Sequence, residues 1–312
     1  MRNIVVIVGS GLMGSGIASC SALAGNITVL TDLSVDLAKQ GLADAIKCVD
    51  ELESNGLADT ADAKAARELL SCAADFTDYA PCAKMVIEAI AENLELKQEL
   101  FARLDETFPP EVPLLSNTSG LRISDIALKM KAPQRAVTAH FWFPGHLVPL
   151  VEVVVGDKTD PAMAAEIRDE MNRWGKAAVL VKQDHPGQLA NRILQAVIRE
   201  ASSIVEMGLA SPEDVDTAIK MGMGIRLPVW GPLEHVDAVG VDLCRNVQNT
   251  VLPGISAAQR ACARFDELVE GGNLGYKTGR GFYDWSGKDM KALAARRNSF
   301  IIAARKFMKE TK

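Results

Sequence analysis

Five apolar residues, Ile4–Val8, run directly into Gly9-Ser10-Gly11-Leu12-Met13-Gly14 and then into a helical pattern over Gly14–Ala24. In a strand–loop–helix of this kind each glycine has its own steric reason. Gly9 permits the tight turn, Gly11 lets the backbone approach a pyrophosphate, and Gly14 lets helix and strand pack closely. The first N–H groups of the helix and its dipole then hold the anion. A second apolar run, Ile27–Leu30, leads to Asp32, eighteen residues beyond Gly14, close to the ~20 expected of an acid that holds a ribose 2′-hydroxyl. A carboxylate there repels a 2′-phosphate, and no Arg follows it directly. NAD is therefore the expected cofactor, with Gly9, Gly11, Leu12, Met13, Gly14 and Asp32 in its site.

The same alternation continues to about residue 185. Met85–Ala89, Pro113–Leu115, Ala136–Ala139, Leu150–Val155 and Ala178–Val181 have strand character, while Ser34–Leu52, Ala61–Ser71, Leu94–Phe108 and Ile123–Met130 have helical spacing. Strands alternating with helices imply βαβ units, hence an α/β class and a Rossmann-type, mostly parallel sheet covered on both faces. After His185-Pro186-Gly187 the strands cease. Gln188–Met207 carries an apolar stripe at helical spacing, Ser211-Pro212 opens another helix, and further patterns cover about 229–251, 256–271 and 288–310. Two domains are expected: 1–185 binding NAD and an all-helical 186–312, with a ligand cleft between them.

Composition narrows the function classes. The chain has 34 Lys+Arg against 40 Asp+Glu, a net charge of −6, and no basic block, which argues against nucleic acid and anionic membranes as partners. No apolar run approaches the ~18–20 residues of a membrane span, and the opening MRNIVVIVGSG lacks a secretory core. Cys20, Cys48, Cys72, Cys82, Cys244 and Cys262 form no C-x-x-C pair and stand near no His at ligand spacing. They read as reduced core residues of a cytoplasmic protein, with no metal expected.

Six segments carry a resemblance to a known family: Gly9–Ala18 (GSGLMGSGIA), Val86–Lys97 (VIEAIAENLELK), Ser116–Gly120 (SNTSG), Ala139–Val153 (AHFWFPGHLVPLVEV), Asp184–Arg192 (DHPGQLANR) and Gly279–Tyr283 (GRGFY). In order and separation they resemble the 3-hydroxyacyl-CoA dehydrogenases over nearly the whole chain. The resemblance implies that His140 is the general acid/base and that Glu152 orients and polarises its imidazole. Ser119 and Asn191 match residues that bond the substrate oxygen. Glu92 and Lys97 match positions beside the nicotinamide, Asn117 joins the cofactor set, and the helical domain resembles a dimerisation module, so a homodimer is expected.

Elementary chemistry agrees with those roles. Oxidising a secondary alcohol needs a base for the hydroxyl proton as hydride leaves carbon, and an imidazole, with an unperturbed pKa of ~6.5, suits that near neutral pH. A carboxylate partner fixes its tautomer. His140 is expected just after the strand Ala136–Ala139, at a carboxyl end where open α/β sheets place ligands. Taken singly, His140 also reads as a core histidine, and Ser119 and Asn191 as a cap and an exposed helix polar.

Two departures bear on the substrate. Phe143 stands where the family has an Asn, and Gln188 where an aromatic follows Pro-Gly. Residues 43–70, which in the family contribute contacts to coenzyme A, hold seven acids against three bases, poor ground for a polyanionic tail. The segment Gly222–Glu234 carries Arg226 and resembles the branch with L-gulonate 3-dehydrogenase (lambda-crystallin) and carnitine dehydrogenase, whose substrates are small free carboxylates. Arg226, or alternatively Arg122, is a candidate carboxylate anchor, though Arg226 reads equally as a snorkelling or interface arginine. Trp142, Phe143, His146 and Trp230 are candidate pocket walls. A free 3-hydroxy acid is the expected substrate. The alternatives are a short-chain 3-hydroxyacyl-CoA and a crystallin-like protein that binds NAD(H) without turnover.

Overall fold

The computed structural model describes residues 3–310. Its first part is one eight-stranded sheet of β1 (Ile4–Val8), β2 (Ile27–Thr31), β3 (Leu70–Ala73), β4 (Ala83–Glu88), β5 (Leu114–Ser116), β6 (Ala136–Phe141), β7 (Leu150–Val154) and β8 (Ala177–Val181). The strand order is β3-β2-β1-β4-β5-β6-β7-β8. β1 to β6 are parallel. β7 pairs antiparallel with β6, and β8 runs parallel to β7. The expected mostly parallel α/β sheet is thus present.

Side-chain alternation along β1 explains why both faces are covered. Val5 and Ile7 enter one core with Ile17, Leu30, Ile87 and Val153, beneath α1 (Leu12–Leu23), α2 (Val35–Ser54), α3 (Thr60–Leu69) and α6 (Pro161–Arg173). Val6 and Val8 enter the other, with Phe101, Leu104, Ile123 and Ile126 from α4 (Leu94–Thr107) and α5 (Ile123–Ile126). A strand buried on both sides must be apolar throughout, as IVVIV is. Helix starts follow side-chain caps: Ser34 accepts from Leu37 N–H at 3.3 Å, Asn93 from Leu96 N–H at 3.1 Å and Asp160 from Ala162 N–H at 2.9 Å.

Three elements depart from the sequence reading. Leu70–Ala73, whose first two residues were expected as the end of a helix over Ala61–Ser71, is a strand paired to Thr28–Thr31. Its LSCA sequence has no β-branched residue, so the free edge of β2 decided its conformation rather than propensity. α6 was not anticipated, although Asp160-Pro161 is a cap followed by proline at the first helical position. The run over 229–251 is two helices, α9 (Pro232–Val239) and α10 (Val241–Val251), divided at Gly240 with φ +105°.

The chain divides into two compact units, one holding residues up to Asn191 together with Asn298 onward, the other Arg192–Arg297. The second unit is helical, with most of α7 (Ala190–Glu206), α8 (Pro212–Ala218), α9, α10, α11 (Ala263–Glu270) and the start of α12 (Met290–Glu310). The end of α12 belongs to the first unit. There Ile302 packs with Leu52 and Leu147, and Arg305 donates to the carbonyls of His146 at 3.0 Å and Leu147 at 3.3 Å.

Arg135 fixes the entry to β6. Only 1% exposed, it donates to Asp105 Oδ1 at 2.8 and 3.0 Å and to the carbonyls of Phe108 at 3.1 Å and Val112 at 3.2 Å. Breaking a buried pair from one side strands the other charge, at about 3–5 kcal/mol. Arg135→Met should therefore lower the urea midpoint by a corresponding amount, and adding Asp105→Leu should restore part of it. A loss under about 1 kcal/mol for the single variant, within the range of a surface pair, would contradict this role.

Candidate active site

The glycine loop has the shape a dinucleotide requires. Gly9 has φ +96°, and a Cβ there would stand 2.6 Å from the Ala89 carbonyl oxygen. At Gly14 a Cβ would fall 1.9 Å from the Gly9 carbonyl oxygen, whereas at Gly11 it would meet nothing within 4 Å. Gly9 and Gly14 are therefore demanded by the protein itself, whereas Gly11 leaves open space beside the loop. α1 has neither a capping side chain nor an acid in its first turn, so its first N–H groups suit an anion. Leu12 is exposed and Met13 half-buried at this helix start.

A cavity of about 760 Å³ opens on the loop, lined among others by Gly9, Gly11, Asp32, Phe76, Ile90 and Arg103. Asp32 accepts from Ser10 N–H and Ser10 Oγ, both at 2.7 Å, and from Leu33 N–H at 2.7 Å. Burial pushes its carboxyl up, but these bonds together hold it below the usual carboxylate range. An ionised acid at the end of β2 beside this loop fits a ribose diol.

The His140–Glu152 pair is built by the β6/β7 ladder. His140 lies on β6 itself, one residue before its end, rather than just after the strand, and is register-paired with Glu152 on β7. The twelve-residue spacing is thus a hairpin that brings two side chains onto one face. His140 Nδ1 is 2.8 Å from Glu152 Oε2, and Trp142 Nε1–H donates to the same oxygen at 2.9 Å. Oε1 accepts from Leu189 N–H at 2.9 Å and Ala190 N–H at 2.8 Å, at the start of α7. Burial pushes Glu152 up, yet His140, Trp142 and the two backbone donors bring it down to about 2.

A second buried ion pair supports the loop beside this one. Glu88, fully buried at the end of β4, is bonded by Lys97 Nζ at 2.5 Å, Ser116 Oγ at 2.6 Å and Ile90 N–H at 2.7 Å. The Lys97 ammonium lies 3.4 Å from Glu92. Glu92 in turn accepts from Thr118 Oγ1 at 2.7 Å and from the N–H groups of Ser119 and Gly120, each at 3.0 Å. Burial pushes the Glu92 carboxyl up, but Thr118, Lys97 and those N–H groups hold it below its usual range. Lys97 thus points into the protein between two carboxylates. Glu88 escaped the sequence reading. The signal was an acid in the middle of the apolar run Val86–Ile90, which can be buried only with a buried cation.

Ser119 stands on this loop, and Asn191 Nδ2 donates to its carbonyl at 3.5 Å. Asn117 Oδ1 accepts from Phe141 N–H at 2.8 Å, tying the end of β5 to that of β6. Gln188, in the left-handed region at φ +53°, donates to the Thr118 carbonyl at 2.8 Å, while its buried Oε1 has no hydrogen-bond partner. Ser119, His140, Glu152 and Asn191 all belong to the first compact unit.

Other candidates are placed differently. The Arg122 guanidinium donates to Asp157 at 2.9 Å and to the Asp184 carbonyl at 3.1 Å, and lies 3.6 Å from Asp125, so it clamps loops. His146 turns to Glu51 of α2, with Nε2 at 2.8 Å, and burial pushes its pKa down. Phe143 is exposed. Arg226 and Trp230 belong to the second unit, where Arg226 Nε donates to the Gly222 carbonyl at 3.2 Å.

Comparison with known proteins follows the same lines. Residues 4–185 match the family model of the 3-hydroxyacyl-CoA dehydrogenase NAD binding domain, and 187–285 that of its C-terminal domain. A 5-formyl-3-hydroxy-2-methylpyridine 4-carboxylate 5-dehydrogenase of Mesorhizobium japonicum is 32% identical, over 99% of this chain and 98% of its own. A probable 3-hydroxybutyryl-CoA dehydrogenase of Bacillus subtilis is 36% identical, over 91% and 98%. The crystal structure of a 5-formyl-3-hydroxy-2-methylpyridine 4-carboxylic acid 5-dehydrogenase, an NAD+-dependent dismutase, is similar with TM-score 0.91 and 29% identity, covering 99% of each chain.

The loop geometry makes a direct prediction. A hydrogen bond to a charged group contributes about 1.5–3 kcal/mol, so Asp32→Asn should weaken NADH about ten- to hundredfold in a fluorescence titration and narrow the preference over NADPH. Unchanged NADH affinity would remove Asp32 from the site.

Proposed function

This chain belongs to the 3-hydroxyacyl-CoA dehydrogenase family, NAD-dependent enzymes acting on a CH–OH group, and from that premise we propose that it oxidises the 3-hydroxyl of a small free carboxylic acid. The observation that carries the catalytic part is the buried His140–Glu152 pair, 2.8 Å apart on adjacent strands. Glu152, ionised and on the Nδ1 side, favours the tautomer whose Nε2 lone pair faces outward as base. Nε2 takes the hydroxyl proton, and the resulting imidazolium is held by the Glu152 charge. Bound NAD supplies the hydride acceptor. Ser119 and Asn191 bond the substrate oxygen. Gly9, Gly11, Leu12, Met13, Gly14 and Asp32 hold the pyrophosphate and adenosine half, with Glu92, Lys97 and Asn117 shaping the nicotinamide end.

What supports a free acid is the state of the positive charges in residues 43–70. Lys47 is paired with Asp44 at 2.7 Å, and Arg67 with both Asp50 and Glu53. Two of the three bases there are engaged within the segment, leaving little for a tail of phosphates. The Mesorhizobium relative is named for a free carboxylate. Within the first unit, Trp142 and Phe143 are the residues we assign to the walls near the reacting carbon.

A homodimer through 186–312 completes the proposal. In Arg192–Arg297 only Ser202, Val215 and Leu268 are buried, while α7 exposes Ile193, Leu194 and Ile198 and α10 exposes Leu243, Val247 and Val251. Helical faces of that kind are ordinarily covered by another surface. A cytoplasmic location accords with six free cysteines.

General acid–base catalysis contributes about 10²–10⁴-fold. His140→Ala and Glu152→Gln should lose turnover in that range while NADH affinity stays nearly intact. Near-wild-type turnover of His140→Ala would sink the mechanism. An NAD-reduction screen over free 3-hydroxy acids and their CoA thioesters decides the substrate, a higher kcat/KM on a thioester overturning the free-acid reading. Sedimentation equilibrium should return twice the 33.5 kDa chain mass; a monomer at micromolar concentration would refute the dimer.

A further inference from the structure

The indole of Trp142 does something the pocket-wall reading does not require. Its Nε1–H is aimed at Glu152 Oε2, the same oxygen that faces His140 Nδ1, at 2.9 and 2.8 Å respectively. The two rings are neighbours, with centroids 5.6 Å apart and planes tilted by 50°. Since Oε1 is engaged by Leu189 and Ala190 N–H, the groups that bond Glu152 besides His140 are the Trp142 indole and these two backbone N–H groups, all of them neutral. We propose that Trp142 is a positioning residue of the proton-transfer pair: its N–H holds the Glu152 carboxylate in register and divides the charge of Oε2 between the indole and His140.

The physical reason is the division of one oxygen's charge between two donors. Protonation of His140 places a positive charge against Glu152, and the carboxylate stabilises that charge according to how much of its own is left unbound. An indole N–H on the same oxygen takes part of it. Other charges are directed elsewhere. Opposite Glu152 on β8 is Val179, and the approach to α7 offers Glu152 only backbone N–H groups. Asp184 bonds Ser124 N–H at 2.9 Å, His185 is exposed, and Glu92 is engaged by Thr118, Ser119, Gly120 and Lys97. Lys176 Nζ lies over the Phe141 ring and donates to the Gly145 and Val148 carbonyls at 2.5 and 3.1 Å. The sharing of Oε2 by His140 and Trp142 is the adjustable element.

The inference rests on His140 and Glu152 being the proton-transfer pair, so its test is chosen to be readable without turnover. Trp142→Phe keeps an aromatic ring at this position and removes the N–H together with one ring of the indole. In the ligand-free protein, the His140 ring signal, identified by its loss in His140→Ala, is titrated by NMR in both forms. The midpoint should move up by about 0.5–1 pH unit in Trp142→Phe, the size expected when one hydrogen bond of ordinary strength is released. The sign follows: more Glu152 charge becomes available to the imidazolium, which then persists to higher pH. In the oxidation assay, whose active form needs neutral His140, the acid limb should move the same way. An unmoved midpoint in a folded Trp142→Phe protein overturns the proposal. An unmoved midpoint with a raised substrate KM returns Trp142 to the pocket wall. Full turnover in His140→Ala would instead defeat the underlying catalytic reading, whatever the titration shows.

Discussion

A single buried negative charge organises the site. Glu152 has no exposure, and an anion placed there is tolerable only when donors surround it. The donors come from three separate places: His140 and Trp142 on and just after β6, and the backbone at the start of α7. Satisfying this carboxylate therefore fixes the β6/β7 register, the ring orientation of His140 and the point at which the helical part of the chain begins. The antiparallel pairing of β7 follows the same requirement, since it sets His140 and Glu152 side by side.

A second ionic arrangement works in the same way one layer over. Glu88 at the end of β4 holds Lys97, Lys97 approaches Glu92, and Glu92 gathers the N–H groups of Ser119 and Gly120. The loop that bears Ser119 is held from beneath by the bonds of Thr118, Ser119 and Gly120 to Glu92. Glu88 and His140 lie at the carboxyl ends of β4 and β6, the end of the sheet at which the glycine loop follows β1 and where open α/β sheets place ligands.

Much of the fold was legible because its signals are local. The glycine loop, the apolar strands and the caps at Ser34 and Asn93 need only a few neighbouring residues to act. Leu70 and Ser71 were misread for the opposite reason: nothing in the composition of Leu70–Ala73 favours a strand, and its pairing partner lies 42 residues away. Of the candidate site residues, His140 and Glu152 were singled out through a resemblance and a spacing, and the structure brings them together. Glu88 was not, since a buried acid reveals its purpose only when its cation is found. Arg122 carried the right chemistry for a carboxylate, yet Asp157 and Asp184 engage it first.

By itself the sequence determined the class of sheet, the cofactor loop and the acid that favours NAD, because strand burial, glycine sterics and the charge of Asp32 act over short stretches of chain. Only the tertiary structure decided which donors share Glu152, where Lys97 points and which arginine is already engaged. Those are contacts between residues distant along the chain, and their energies depend on burial and on competition for a single oxygen, neither of which a residue carries in its identity.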